Sequence, residues 1–380
     1  MLRNKCLYIL SLIFITALLA SCAVKNTIPE SMAEIDGHTF TERVENKYAG
    51  QFAIDRYTDG VSVIHTAAAS YLILPEAMDA PADTKGMRVI QKPLKNVYLA
   101  ASADMDFFSA LGCMNALRFS AVKTDDWSID SARDAMENGD ILYAGKYREP
   151  DYELLLSGGC TLSIESTMIE HTPEVKEKLE ELGITVFVDY SSYETHPLGR
   201  CEWIKVYGEM LDSPGKAEEL FNQQLDEIPD KTDTGKKVVY FYINSNGQAV
   251  TRKPGDYVTK MIELAGGENV FKNIGDDTKA SAVTLEMEDF YAGASDADYI
   301  IYDTAIGGEL TSVQSLTEKN ALLADFKAVK ENRVWCTGSN LFQSVMESGA
   351  IIREFNEIFT GNAEGKTLKY LYKAGGNGGE

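Results

Sequence analysis

Four histidines, His38, His65, His171 and His196, are the side chains best suited to hold a metal or move a proton near neutral pH. They are scattered, and a site of three His plus a carboxylate would use nearly all of them, so each reads as a surface or structural histidine. Six cysteines (Cys6, Cys22, Cys113, Cys160, Cys201, Cys336) form no CxxC pair, which excludes a zinc ribbon and a thioredoxin-like site. No GxSxG elbow, HExxH or GxGxxG occurs. Gly361-Asn-Ala-Glu-Gly365-Lys366-Thr367 imitates a phosphate-binding loop but is one residue short and follows a helical pattern rather than a strand. The expectation is therefore a protein with no chemistry of its own and no cofactor.

The remaining chemistry is binding. The chain has 380 residues, 44% hydrophobic and 25% charged, enough for one or two globular domains with a sizeable core. A formal charge of −22 argues against sequence-independent binding to nucleic acid phosphates or anionic lipid. The first residues follow a secretion plan: basic Met1 to Lys5, an apolar run from Cys6 to Ala20, then Ser21 and Cys22. Removing Arg3 and Lys5 with that segment leaves a mature charge of about −24. Leu18-Leu19-Ala20-Ser21-Cys22 resembles a bacterial lipobox, which predicts a signal peptide over 1–21, a lipidated Cys22, a flexible tether over 22–40 and a body held on the extracytoplasmic face of the cell membrane.

Strand patterns dominate residues 48–122, broken by Asp59-Gly60, Pro75, Pro81 and Pro93. Helices then alternate with short apolar strands, the signature of βαβ units and a mostly parallel sheet. A long helical stretch over 201–227 is interrupted at Asp212-Ser-Pro-Gly215, and after a polar loop the α/β plan repeats from Val238. The expected architecture is α/β: an N-terminal lobe over 41–200, one long backbone helix over 201–228, and a C-terminal lobe over 236–360. The tail over 361–380 is low in complexity and reads as disordered.

Taken in order, Lys95-Asn-Val-Tyr-Leu-Ala-Ala-Ser102, Gly145-Lys-Tyr-Arg-Glu-Pro-Asp-Tyr-Glu-Leu-Leu156, Leu179-Glu-Glu-Leu-Gly-Ile-Thr-Val186, Met261-Ile-Glu-Leu-Ala-Gly-Gly-Glu-Asn-Val270, Asp298-Tyr-Ile-Ile301 and Ala328-Val-Lys-Glu-Asn-Arg-Val334 resemble the substrate-binding lipoproteins of ABC importers for iron–siderophore, haem and cobalamin. The resemblance covers residues 95–360. Residues 40–94 fit it less well and read as an added N-terminal sheet, and the usual Pro-Asp before a first-lobe strand is Cys160-Thr161 here.

The resemblance implies two βα sandwich lobes with a ligand cleft between them, a monomeric receptor and an ABC permease as partner, with iron or cobalt arriving only inside the ligand. An exposed carboxylate on each lobe would dock to permease arginines: Glu153 on the first lobe, and Glu288, chosen over Glu286 and Asp289, on the second. In open α/β sheets ligands bind at the carboxyl ends of the strands. The loops there offer Met105, Trp127, Tyr147, Arg148, Met168, Tyr193, Asn244, Arg252 and Phe342, aromatic planes and cations suited to a flat or bulky chelate. Arg148 and Arg252 would clamp an anionic ligand, with Tyr147 or Met168 as candidate haem-iron ligands. Two other readings stand beside this one, an extracytoplasmic metal-dependent hydrolase on a related scaffold and a bare zinc or manganese receptor. Both need the clustered histidines that the chain lacks.

Overall fold

The computed structural model describes residues 28–230, 233–275 and 281–375. The expected signal peptide and Cys22 lie outside the described residues. Three sheets organise the rest. The first has six strands in sequence order, Glu34–Ile35, His38–Arg43, Phe52–Tyr57, Ser62–Thr66, Ser70–Leu74 and Arg88–Gln91, antiparallel until the last pair, which is parallel. Residues 28–40 are thus not simply a tether, because two of these strands fall there and Ile35 is buried between Tyr57 and its neighbours. Alternation decides which side each residue takes. Ile54, Ile64, Tyr71 and Ile73 face the first-lobe core, while Val63, Leu72 and Leu74 form a smaller cluster on the opposite face.

The second sheet is the first lobe proper. It is five-stranded and parallel, in the order Thr185–Asp189, Leu162–Ser166, Val97–Leu99, Leu117–Ser120, Leu142–Tyr143. Apart from the edge strand Leu142–Tyr143, its strands are short runs largely buried on both faces, as parallel strands under helices must be. The N-terminal sheet is welded to this lobe: Val188 donates its backbone N–H to the Tyr71 hydroxyl at 3.2 Å, and the Tyr71 and Phe187 rings lie 4.7 Å apart.

The third sheet builds the second lobe around Lys236–Ile243, which pairs in parallel with Tyr299–Tyr302 and Gly267–Asn269. Tyr299–Tyr302 continues in parallel to Val334–Thr337, and the antiparallel strands Ala249–Arg252, Ala282–Leu285 and Leu371–Lys373 complete the sheet. Along the central strand Val238 and Tyr240 enter one core while Val239, Phe241 and Ile243 enter another, so both faces are covered. The expectation of a disordered tail is corrected here. Leu371–Lys373 hydrogen-bonds to the edge of the sheet, with Cys336 opposite Tyr372, and Leu371 is buried; residues 376–380 lie outside the described set.

The backbone helix between the lobes is three segments, Pro197–Glu202, Ile204–Met210 and Pro214–Asp226. The last break follows from Asp212, whose φ is 57°, and from Pro214, which opens the next helix without a backbone donor. Buried charge pins this connector to the N-terminal sheet. The Glu202 carboxylate accepts backbone N–H bonds from Lys47, Tyr48 and Ala49 at 2.8 to 3.1 Å, and the Glu194 carboxylate accepts them from Gly50 and Gln51. No helix among the described residues is long and apolar enough to cross a membrane.

Candidate functional site

A cavity of about 370 Å³ opens at the carboxyl ends of four adjacent parallel strands of the first lobe. Ala100–Asp104 leave the strand Val97–Leu99, Ala121 and Val122 leave Leu117–Ser120, and Ser166 and Asp189 end their strands. At such ends the chain must turn away from the sheet, leaving backbone and short side chains around a concave floor. Lys146 and Tyr147 come in on the hairpin formed by Gly145–Lys146 and Glu149–Pro150. Gly145 makes that hairpin possible: its φ is +82°, and a Cβ there would sit 2.3 Å from the Glu149 carbonyl oxygen.

The cavity's charge centres on Arg200, in the connector. Between residues 197 and 210 every residue but Arg200 is buried. Its guanidinium carbon sits 3.9 Å from the centroid of the second-lobe Tyr257 ring, while its Nε is buried without a hydrogen-bond partner. Below it lie two buried carboxyls. Tyr207 Oη is 2.6 Å from Asp104 Oδ2 and 2.9 Å from Asp189 Oδ2. A phenol has one proton to give, so with both carboxyls ionised one contact would set lone pair against lone pair. Asp189 Oδ1 already accepts the Ser191 backbone N–H at 2.6 Å, which makes Asp189 the ionised partner and Asp104 the protonated one. Burial, then the charge of Asp189, raises Asp104 well above the usual carboxylate range, and burial pushes Asp189 up to about 6.

Of the residues expected at the cleft, Tyr147 and Met168 line this cavity, and Met168 is exposed. Tyr193 is exposed beside the lining residues Ser191 and Ser192, its ring stacked on Tyr190 at 5.7 Å. Met105 and Trp127 are corrections. The helix Met105–Leu111 turns Met105 inward with Phe107 and Phe108, and Trp127 is buried in the same core. The two-arginine clamp is not formed. Arg148 is exposed at its hairpin turn, off the cavity wall, 5.6 Å from the Tyr147 ring. Arg252 is largely buried, bound to Asp303 at 3.3 Å and flanked by the Tyr240 and Phe342 rings, so its charge is neutralised within the second lobe. Asn244 is also engaged internally, its Oδ1 accepting the backbone N–H groups of Asn246 and Gln248.

The lobes are latched beside the cavity. Gln343 Oε1 accepts from the Ser128 backbone N–H at 2.8 Å and hydroxyl at 2.7 Å, and Asp106 Oδ2 accepts the Met346 backbone N–H at 2.7 Å. Away from the cavity, Glu153 and Glu288 are exposed in the first turns of the helices Tyr152–Ser157 and Met287–Ala294. Glu286 differs from Glu288, since its carboxylate accepts a hydrogen bond from Gln248. Among the described residues no group of three or more His, Cys, Asp or Glu side chains is placed to hold a metal ion.

Arg200, Asp189, Asp104 and Lys146 are site residues that sequence reasoning did not single out. The available signal was a cation inside a stretch, Leu198 to Met210, whose apolar spacing buries a helix from every side.

Comparisons with known proteins bear on the family and the fold. A family model described as periplasmic binding protein matches residues 110–341. An uncharacterised lipoprotein of Methanocaldococcus jannaschii is 25% identical over 306 residues, covering 74% of this chain and 70% of the relative. The vitamin B12-binding protein of Vibrio campbellii is 30% identical over 95 residues, 25% of this chain and 34% of the relative. The periplasmic haem-binding protein of Vibrio cholerae shares the fold, with a TM-score of 0.57 at 18% identity over 70% of this chain and 98% of that one.

Proposed function

The chain belongs to the periplasmic binding protein family, and on that premise we propose that it is a lipid-anchored receptor that captures an anionic metal chelate, an iron–siderophore or a haem, and delivers it to an ABC permease. The observation that carries the ligand class is Arg200. A buried guanidinium N–H without a partner is costly unless a ligand or water supplies the acceptor, and the residue that carries it lines a cavity within the size range of small-molecule sites. Lys146 adds a second cation to the lining, while Tyr147 and Met168 offer a ring and a thioether to the chelate's face. The protonated Asp104 keeps the floor from repelling an anion as strongly as two carboxylates would.

A corrinoid is the second reading, favoured by the likeness of part of the chain to a vitamin B12-binding protein. Titration of the mature protein with haem, a ferric catecholate and cobalamin, followed by absorption, separates the two. Tight binding of haem or the catecholate with no response to cobalamin supports the proposal. Tight binding of cobalamin alone overturns the anionic ligand class.

A further inference from the structure

A second cavity, of about 510 Å³, lies on the N-terminal sheet, ahead of the residues that the family model matches. His65 and Ser70 are cross-strand partners on Ser62–Thr66 and Ser70–Leu74, and both line this cavity. Asp55 is on the next strand, its side chain on the same face by the alternation of the sheet. His65 Nδ1 is 2.7 Å from Ser70 Oγ, and His65 Nε2 is 3.2 Å from Asp55 Oδ2. The protonation pattern follows from the neighbours. Arg43 binds Asp55 through Nε at 2.6 Å and Nη2 at 2.9 Å, and Ser31 donates to it at 3.0 Å, so the carboxylate is ionised. The His65 nitrogen facing it must then carry the proton, which leaves Nδ1 as the acceptor for the Ser70 hydroxyl. Burial lowers the His65 pKa, keeping the imidazole neutral.

We propose that Ser70 is an acyl-transfer nucleophile, with His65 as its base and Asp55 orienting the imidazole, in a hydrolytic site for small carboxylate-bearing esters. Such a constellation is recognised by geometry and roles rather than by sequence position. Ser70 Oγ bonds to the ester carbonyl carbon as its proton passes to His65 Nδ1. The tetrahedral oxyanion collapses, the carbon–alkoxide bond breaks, and the leaving alcohol takes that proton. Water then gives a proton to His65 and attacks the acyl-serine, releasing the carboxylic acid and returning the proton to Ser70. Lys85 and Arg88 line the same cavity. Lys85 is paired with Asp83, and its remaining N–H groups suit a substrate carboxylate, while the Arg88 side chain is paired with Glu180 over the Tyr71 ring, on the other face of the sheet from Ser70.

The site is independent of the chelate cavity, so the mature chain can be tested with chelate binding as the control for folding. Exposure to a fluorophosphonate, followed by intact mass and peptide mapping, should give one adduct on Ser70, and p-nitrophenyl succinate should be cleaved faster than in buffer. Ser70→Ala should abolish the adduct and lower cleavage at least tenfold, and His65→Gln should do the same with Ser70 still present, both variants retaining chelate affinity. No adduct on the parent protein, an adduct that persists in Ser70→Ala, or cleavage unchanged in that variant overturns the proposal.

Discussion

The Arg200 guanidinium stacks on the Tyr257 ring, its carbon 3.9 Å from the ring centroid, so a connector side chain at the first lobe's cavity is seated on a residue of the second lobe. Ligand charge and lobe position therefore meet at one group. A charge-assisted hydrogen bond contributes about 1.5–3 kcal/mol. Arg200→Ala is thus expected to weaken an anionic chelate by roughly tenfold to a hundredfold and to leave a neutral one nearly unchanged. Arg200→Lys, which keeps the charge but loses the planar fork, should fall between them. Titration of both variants against haem and cobalamin checks this; equal affinity in parent and variants for every ligand that binds would remove Arg200 from the site.

The Asp104, Tyr207 and Asp189 cluster predicts a pH dependence. Burial raises both carboxyls in the folded state, Asp189 from 3.8 to about 6. A raised carboxyl binds its proton more tightly folded than unfolded, so its contribution to stability is full below about pH 4 and is lost as pH rises through about 6. Asp104→Asn cannot ionise, so it should flatten this fall and raise the melting temperature at pH 7.5 relative to the parent. Thermal melts at pH 5 and 7.5 report it, and an unchanged slope would show that the pair does not titrate in this range.

The lobes were legible in the sequence because alternation and short apolar runs are local signals, and the central strand with Val238 to Ile243 is one of them. Charge partnership was not local. Arg252 looked like a free cleft cation although Asp256 stands four residues on, because the closer carboxylate, Asp303, lies 51 residues further on. Asp104 and Asp189 meet only through Tyr207, which is far from the first in sequence and 18 residues from the second. Leu371–Lys373 was hidden by the glycines around it, although its edge pairing depends on backbone groups that every residue type carries. Ser70, His65 and Asp55 carry no motif, since only strand register brings them together.

Gly145 sets the hairpin that brings Tyr147 to the cavity. Gly145→Ala should cost about 1–3 kcal/mol from the positive φ, with a further penalty because the new Cβ would lie 2.3 Å from the Glu149 carbonyl oxygen. Gly183 is the comparison, with φ at +80° and nothing within 4 Å of a Cβ. Gly183→Ala should destabilise less and leave ligand affinity alone, whereas Gly145→Ala should lower both melting temperature and affinity. Equal effects in the two variants would separate Tyr147 from binding.

Cys22 lies outside the described residues, and its lipidation is testable by fractionation. Two or more acyl chains at ~0.8 kcal/mol per buried CH₂ hold a protein on a membrane essentially permanently. Cys22→Ala should release a folded protein that still binds its chelate. Retention of that variant on washed membranes would place the anchor elsewhere.

Glu153 and Glu288 test delivery separately from capture. Both are exposed in the first turn of a helix, and neither carboxylate is engaged by a hydrogen bond or ion pair among the described residues. A carboxylate in that position also stabilises its helix, by about 0.3–1 kcal/mol, so a small loss of stability is expected on substitution whatever its role. Uptake distinguishes docking from helix stabilisation alone. If each carboxylate meets a permease arginine, losing one charge-assisted contact of about 1.5–3 kcal/mol should weaken docking tenfold or more, and Glu153→Ala with Glu288→Ala together should reduce uptake most. Chelate affinity should stay at the parental value, because neither residue lines the cavity. Glu286→Ala is the internal control, since that carboxylate is already engaged by Gln248 and its removal should disturb the local contact rather than transport. Parental uptake in the double variant would remove both carboxylates from the permease interface, and loss of chelate binding in either single variant would mean that its carboxylate acts on the ligand site instead.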